Sequence, residues 1–187
     1  MKTEVDAKKA LHKNEVLKRI IKEIVSDAII FVICLFLVPH FVAEGVRVKG
    51  SSMENTLHNK DRLIVEKITT SIGTIERFDI IILDPHNQED EYWIKRVIGL
   101  PGETIQIIGE DIFINGKILD ESYGKDPLVY AGIAASPLKL ADDEYFVLGD
   151  NRTISFDSRD VGAIKKSDIE GRAFFSIWPR KTFGTID

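Results

Sequence analysis

Two adjacent serines and one lysine have the side chains that nucleophilic catalysis requires. The serines, Ser51 and Ser52, lie in the stretch KGSSMENTL. A serine hydroxyl is a poor nucleophile until a base removes its proton. Lysine can be that base only as the neutral amine, and burial without a carboxylate partner lowers its pKa in that direction. Lys95 is the candidate, because on a β-strand it shares one face with the apolar Trp93 and Val97.

These residues also have ordinary structural interpretations. An isolated serine pair is a common turn element. Lys95 and Arg96 can equally be solvated charges on an edge strand. A histidine-based triad would draw on His58, but the chain has no G-x-S-x-G elbow. The four histidines are scattered without metal-ligand spacing, so we expect no metal site and no cofactor.

The composition is that of a globular protein. The chain has 187 residues, of which 44% are hydrophobic and 29% charged, and this length suggests one domain with appended segments. The net charge of −5 and the lack of a basic stripe with interleaved aromatic residues argue against binding to nucleic acid. Cys34 is the single cysteine, which excludes an intramolecular disulfide.

Charge and hydropathy divide the chain into an arm, an anchor and a body. Residues 1–27 carry a net charge of +2, whereas the remaining residues carry −7. Between them lies the apolar run AIIFVICLFLV at Ala28–Val38. Alone it is too short for a hydrocarbon core of roughly 30 Å, and a run of this length is often a buried core helix. Extended over 24–43 it reaches 20 residues, so we predict a single transmembrane anchor there, in contact with the lipid bilayer.

The distribution of basic residues predicts the topology of this anchor. Lys18, Arg19 and Lys22 flank its start, whereas only Arg47 and Lys49 follow its end closely. This bias puts residues 1–23 in the cytoplasm, as a basic arm, and residues 44–187 outside it. A cleavable signal peptide is the alternative, but the segment before the apolar run is long for an n-region.

The body is predicted to be an antiparallel β domain. Short runs rich in β-branched and aromatic residues alternate with Gly, Pro, Asn and Asp, which is typical of strands separated by turns. The Asn-Gly pair in INGK is a type I′ hairpin signal. Residues 121–142 have weak periodicity and are interpreted as an inserted loop or subdomain. The predicted strands are 62–67, 79–83, 92–99, 104–109, 111–116, 144–150 and 171–178.

Three motifs in order behind the apolar segment resemble those of one enzyme family. They are GSSMENTL, YWIKRVIGLPGE and GDNRTISFDSR. Together they are similar to the blocks of bacterial type I signal peptidases, in a form like that of Gram-positive bacteria. The resemblance runs from the anchor to about Trp178. It implies a serine endopeptidase that cleaves signal peptides from exported preproteins at the outer face of the cytoplasmic membrane.

The resemblance also implies roles for individual residues. Ser52, immediately before Met53, matches the nucleophile, and Lys95 matches the general base. Ser155 matches a serine that hydrogen-bonds the lysine. Asp157 and Arg159 match a pair that braces the site; the alternative is a surface ion pair.

The oxyanion and substrate sites are expected around the same serine. Gly50 stands where some family members carry a serine that helps to bind the oxyanion. The oxyanion would then rely on the Ser52 backbone N–H, with Gly50 allowing close approach of a backbone. The signal-peptide end is expected to add as a strand beside the residues that precede Ser52. Shallow apolar pockets for alanine-sized side chains are predicted near Val46, Val48, Met53 and Ile94, which can equally be core residues.

Two positions depart from the family pattern, and two other functions stay open. The family usually has proline at Asn55 and often glycine at Phe78, so we expect the local backbone to differ there. A self-cleaving repressor-type protease shares a Ser-Lys dyad, but it would need an N-terminal DNA-binding domain. A non-enzymatic, membrane-tethered β module is the other alternative; the presence of both Ser52 and Lys95 argues against it.

Overall fold

The computed structural model describes residues 2–37, 43–71, 73–84 and 92–186. The chain divides into two compact units, Met1–Phe41 and Val42–Asp187. The α-helices are α1 (Lys2–Leu37), α2 (Ile68–Ser71) and α3 (Ser158–Val161). The strands are β1 (Ala43–Arg47), β2 (Arg62–Glu66), β3 (Ile80–Leu83), β4 (Trp93–Gly99), β5 (Thr104–Ile108), β6 (Asp111–Ile114), β7 (Lys117–Ile118), β8 (Leu138–Lys139), β9 (Glu144–Leu148), β10 (Ile164–Lys165), β11 (Ile169–Trp178) and β12 (Gly184–Thr185). Short 3-10 helices span Gly132–Ala135, Lys166–Asp168 and Arg180–Thr182.

The first unit contains α1, a single continuous helix. Its sequence has neither glycine nor proline, and ion pairs one turn apart support it, as between Arg19 and Glu23 at 3.2 Å. The predicted boundary between a basic arm and an anchor is therefore not a break in the helix. Residues 38–42 of the predicted anchor lie outside the described residues, and Ala43 begins β1 instead. Among the described helices, none is both long enough and apolar enough to cross a bilayer.

The second unit is built mainly from antiparallel β-structure, as the sequence predicts. Its larger sheet has eight strands in the order β1-β2-β11-β3-β4-β9-β10, with β12 paired to β11. Its smaller sheet has the order β7-β6-β5-β8. All seven predicted strands are present, and their ends differ by at most two residues from the predicted bounds.

Strand β4 lies inside the larger sheet, between β3 and β9. Lys95 is opposite Ile81 of β3, and Arg96 is opposite Leu148 of β9. Both charged side chains are buried, at 4% and 0% exposure. The interpretation of Lys95 and Arg96 as solvated charges on an edge strand is therefore wrong, because β4 has a hydrogen-bonded strand on each side.

The smaller sheet contains the predicted Asn-Gly hairpin, between β6 and β7. Asn115 and Gly116 have φ angles of 51° and 77°, and Ile114 pairs with Lys117 across the turn. These two positive φ angles are what a type I′ turn requires. The hairpin prediction is confirmed.

The segment 121–142 is more than a surface loop. It contains the 3-10 helix Gly132–Ala135 and β8, which pairs with β5. Leu128, Ala134 and Leu140 are buried in the same apolar cluster as Ile105 of β5. Its weak periodicity reflects short elements whose side chains reach the core from irregular backbone.

Candidate active site

Lys95 is held in an apolar environment by its own strand and by one loop. The Trp93 ring lies on the same side of β4, with its centroid 5.6 Å from Lys95 Nζ. Phe156 meets that ring edge-on, at 5.6 Å between centroids and 83° between planes. Trp93 and Val97 belong to one apolar cluster, as the strand periodicity predicts. The hydrocarbon stem and the amine of Lys95 are thus largely withdrawn from water.

A hydrogen bond orients the amine of Lys95. Its Nζ donates to Ser155 Oγ at 3.0 Å. Burial lowers the pKa of Lys95 to about 8; the nearby carboxylates of Asp157 and Asp160 act against this shift, and the Arg159 guanidinium adds to it. A substantial fraction of the amine is therefore neutral near pH 8, which a lysine acting as a base requires.

The two serines lie in a tight turn that is held by backbone hydrogen bonds and by two buried side chains. The carbonyl oxygen of Met53 accepts from the backbone N–H groups of Thr56 and Leu57 at 3.0 and 2.8 Å. The Met53 and Leu57 side chains are both buried in one apolar cluster. Before the serines, Gly50 has a φ of 84°, and nothing lies within 4 Å of where its Cβ would be. The turn therefore has a rigid base and an open side at Gly50.

The segment 149–155 joins the serine turn to Ser155. The backbone N–H of Asn151 donates to the Ser52 carbonyl at 3.0 Å, and its Nδ2 donates to the Ser51 carbonyl at 3.2 Å. A Cβ on Gly149 would lie 2.3 Å from Ser155 Oγ and 2.4 Å from the Ser52 carbonyl oxygen. Only glycine allows the two segments to approach this closely.

Asp157 and Arg159 form a buried, bidentate pair beneath Ser155. Both nitrogen–oxygen distances are 2.8 Å, and neither side chain reaches solvent. Arg159 also donates to the Ser155 carbonyl at 3.1 Å, and Asp157 accepts from the Gly149 backbone N–H at 3.1 Å. Asp157 further caps the N-terminus of α3. The alternative of a surface ion pair is therefore wrong.

A second buried pair, missed from the sequence, lies on the other face of β4. Arg96 donates to both carboxylate oxygens of Asp150, at 3.0 and 2.8 Å. Thr56 of the serine turn also donates to Asp150. The same carboxylate thus ties β4 to the serine turn. The alternation of Lys95 and Arg96 shows only that they point to opposite faces; the sequence carries no signal that pairs Arg96 with Asp150.

Arg152 links the inserted segment to the same loop. Its guanidinium donates to Glu121 Oε1 at 2.6 Å, to the Tyr123 hydroxyl at 2.7 Å and to the Gly149 carbonyl at 3.0 Å. The ring of Tyr123 in turn lies 4.0 Å from the Arg96 guanidinium carbon. Residues of 121–142 therefore support the loop that carries Ser155.

Three of the four predicted pocket residues are core residues in this structure. Val48, Met53 and Ile94 pack in one buried cluster, with Met53 only 2% exposed, and so present almost no surface to a ligand. Val46 is partly exposed and lines a depression of about 220 Å³ beside Val65 and Ile82. Val48 follows β1 and packs inward against Met53 and Leu57 of the serine turn. The sequence alone does not distinguish such a core position from the wall of a pocket.

The two departures from the family pattern coincide with unusual backbone angles. Asn55 and Phe78 have φ angles of 89° and 74°. Asparagine tolerates this region, and its side chain donates to Asp126 at 3.1 Å. Proline could not adopt it, because its ring fixes φ near −65°. Phe78 places its ring against Tyr123, with centroids 5.3 Å apart.

Within the described ranges, no three His, Cys, Asp or Glu side chains come together as metal ligands. The absence of a metal or cofactor remains a prediction.

Comparison with known proteins identifies the family. The family described as signal peptidase, peptidase S26, matches residues 18–178. The chain belongs to this family. It is therefore a signal peptidase, a serine endopeptidase, and the resemblance of its three motifs to type I signal peptidases is confirmed.

Individual signal peptidases are similar over most of their length. Signal peptidase I S of Bacillus subtilis (strain 168) is 36% identical over 171 residues, which cover 87% of this chain and 91% of the relative. Signal peptidase I of Leptolyngbya laminosa is 41% identical over 153 residues, covering 78% and 74%. A crystal structure of a signal peptidase I from Enterococcus faecalis V583 is 34% identical with a TM-score of 0.44, and covers 55% of this chain and 98% of its own.

Proposed function

We propose that this signal peptidase works through Ser52 as nucleophile and Lys95 as general base, and that it removes signal peptides from exported preproteins. The observation that carries the proposal is the buried amine of Lys95, which donates to Ser155 Oγ at 3.0 Å and has a pKa lowered to about 8. A lysine that is neutral at working pH can take a proton from a serine hydroxyl.

The reaction proceeds through an acyl-enzyme. The neutral Lys95 amine takes the Ser52 hydroxyl proton while Oγ attacks the scissile carbonyl carbon. The resulting oxyanion accepts a hydrogen bond from the Ser52 backbone N–H, with Gly50 leaving space for the substrate backbone. The C–N bond then breaks as the Lys95 ammonium gives its proton to the leaving amine. Lys95 next deprotonates a water molecule, which attacks the acyl carbon. The bond from that carbon to Ser52 Oγ breaks, and the Lys95 ammonium returns its proton to Oγ.

Three further residues hold the base in position. Ser155 Oγ accepts a hydrogen bond from the Lys95 amine, so the lone pair of the neutral amine points away from Ser155. The third residue of a catalytic triad orients the base in the same way. Arg159 donates to the Ser155 carbonyl, and Asp157 binds Arg159 and accepts from the Gly149 backbone N–H. The two side chains carry opposite charges and have opposite effects on the pKa of Lys95: Asp157 raises it and Arg159 lowers it.

The substrate binds as an added strand and is cleaved after small residues in an Ala-x-Ala pattern. Main-chain hydrogen bonds give such a strand its affinity, and pockets for alternate side chains give selectivity. Val46 beside the 220 Å³ depression supports one small apolar pocket. Val48, Met53 and Ile94 pack in the same buried cluster as Val65 and Ile82, which line that depression.

The chain is anchored in the cytoplasmic membrane by the apolar segment that starts at residue 24 and ends before β1, with its N-terminus in the cytoplasm and the β-domain outside. The uninterrupted apolar run Ala28–Val38 and the basic residues before it support this topology. Protease added outside intact protoplasts should digest the β-domain and spare the N-terminus. A reporter fused after Asp187 that is active only in the cytoplasm would contradict this topology.

Cleavage of a model preprotein in detergent tests the catalytic assignment. The full chain should release the mature protein, and Ser52→Ala should not. Ser51→Ala is the matched control, because it removes a hydroxyl from the adjacent residue and leaves the backbone unchanged. Retained cleavage by Ser52→Ala, or its loss in Ser51→Ala alone, would exclude Ser52 as the nucleophile.

A further inference from the structure

Asn151 binds the two consecutive carbonyl groups of the serine pair. Its Nδ2 donates to the Ser51 carbonyl oxygen at 3.2 Å, and its backbone N–H donates to the Ser52 carbonyl oxygen at 3.0 Å. The Ser51 oxygen also accepts from the Glu54 backbone N–H at 3.1 Å, within the turn. The side chain of Asn151 is nearly buried, at 8% exposure. One residue thus holds both peptide groups that adjoin the catalytic serine.

The bond to Ser51 has a consequence for the N–H of Ser52. The Ser51 carbonyl and the Ser52 N–H belong to one planar peptide unit and point in opposite directions. Fixing the carbonyl therefore fixes the direction of the N–H. We infer that Asn151 is a positioning residue that aims the Ser52 N–H at the oxyanion formed during catalysis. This inference rests on the proposed roles of Ser52 and its N–H.

The orientation of the Asn151 amide is set by a neighbour. Thr153 Oγ1 donates to Asn151 Oδ1 at 2.9 Å. With its oxygen engaged by that hydroxyl, the amide presents Nδ2 to the Ser51 carbonyl. An aspartate at 151 would instead place a carboxylate oxygen against the carbonyl oxygen, which is repulsive.

The backbone carbonyl of Asn151 holds the segment that carries Ser155. Its carbonyl accepts from the Ser155 backbone N–H at 3.0 Å and from Ile154 at 3.3 Å. Replacing only the side chain leaves these bonds intact, together with the bond to the Ser52 carbonyl. Asn151→Ala should therefore misdirect the Ser52 N–H while Ser155 and Lys95 keep their arrangement.

Steady-state kinetics of the full chain in detergent separate these effects. Asn151→Ala should lower kcat by about 10- to 100-fold, less than complete loss of an oxyanion donor. KM should change by less than about threefold, and the apparent pKa of about 8 in the pH profile should stay in place. Asn151→Asp should lose at least as much activity. Asn55→Gly is the matched control: it removes another amide from the same turn, one that bonds Asp126, and should keep the wild-type rate.

A peptide aldehyde with the sequence of a signal-peptide end gives a direct readout of the oxyanion. Ser52 Oγ adds to the aldehyde carbon, the C=O electron pair moves onto the oxygen, and the serine proton passes to Lys95. Asn151→Ala should weaken this adduct by the same factor as kcat/KM and leave the affinity for the cleaved signal peptide unchanged. Equal losses for both ligands, a displaced pH profile, or unchanged aldehyde affinity would each overturn the inference. If wild type forms no adduct, or Ser52→Ala still cleaves, the proposed function fails instead.

Discussion

Lys95 Nζ and Ser155 Oγ, 60 positions apart in the sequence, are joined by a 3.0 Å hydrogen bond in the interior of the β-domain. The amine is the donor and the hydroxyl is the acceptor. The bond therefore holds the lysine without supplying a negative charge that would keep it protonated. In a signal peptidase this is the arrangement that a lysine base requires, because a carboxylate in the same place would raise the pKa of Lys95.

Ser155→Ala should reduce kcat/KM by about 100-fold or more, because the amine loses the group that orients it. The loss should not come from protonation. Removing an acceptor from the ammonium form makes that form less favourable, so the pKa of Lys95 falls if it moves at all. The pH dependence of preprotein cleavage checks both points. A near wild-type rate would contradict an orienting role, and a profile shifted to higher pH would contradict the assigned direction of the hydrogen bond.

The rate of cleavage should rise with pH through a value of about 8, the pKa of Lys95. Burial is the main cause of this low value. Lys95→Arg keeps the positive charge but should be inactive, because a guanidinium is not deprotonated in a protein. Folding of the variant can be verified by circular dichroism. A folded Lys95→Arg enzyme that still processes preproteins would exclude Lys95 as the base.

Lys95→Met should be inactive and more stable than wild type at neutral pH. The folded protein releases the Lys95 proton with a pKa of about 8, whereas the ordinary value is 10.5. Below pH 8 the buried charge therefore costs up to roughly 3 kcal/mol of stability, and this cost declines as pH rises towards 10.5. Methionine has a similar shape without the charge. Denaturant unfolding at several pH values should show a stabilisation at pH 7 that disappears above about pH 10.5. A gain that is independent of pH would contradict the linkage.

Gly149→Ala should abolish activity and destabilise the fold. The new Cβ would lie 2.4 Å from the Ser52 carbonyl oxygen and 2.6 Å from Ser155 Cβ, so the serine turn and the Ser155 loop would have to separate. Such overpacking typically costs about 1–3 kcal/mol. Thermal unfolding and preprotein cleavage together measure the effect. Gly124→Ala is a control for the loss of a glycine as such, since its φ lies outside the left-handed region and its Cβ would meet only the Asn55 Cβ, at 3.8 Å, which is an ordinary contact. Full activity in Gly149→Ala would show that the two segments are not in close contact.

Asn55→Pro, which introduces the residue usual in the family, should destabilise this chain by at least about 1 kcal/mol. Asn55 has a φ of 89°, which the proline ring cannot adopt. Asn55→Gly removes the same side chain but permits the angle, so it should be close to neutral. Thermal denaturation of both variants separates backbone from side-chain effects. A proline variant as stable as wild type would mean that the turn does not require a positive φ.

Much of the β-domain follows from local sequence. The β-branched and aromatic residues of β4, Trp93, Ile94, Val97 and Ile98, indicate a strand by themselves. The Asn-Gly pair sets the β6–β7 hairpin through its own backbone preferences. The start of the last long strand differs from its prediction. The predicted strand 171–178 starts at Gly171, whereas β11 begins at Ile169 and passes through that glycine. A Cβ there would lie 2.5 Å from Val65, so the glycine allows β2 to pack closely.

The motifs also determined the family and the two candidate catalytic residues. The apolar environment of Lys95 follows from alternation along a strand, a local property that places Trp93 and Val97 on the same face as the lysine. Only the tertiary structure decided which distant groups meet. The bonds of Asn151 to Ser51 and of Arg96 to Asp150 join residues 100 and 54 positions apart. It likewise decided that Met53 faces the core rather than a pocket. Such contacts depend on strand order and on how loops close over the sheet, and a pattern of residue types along the chain contains no record of either.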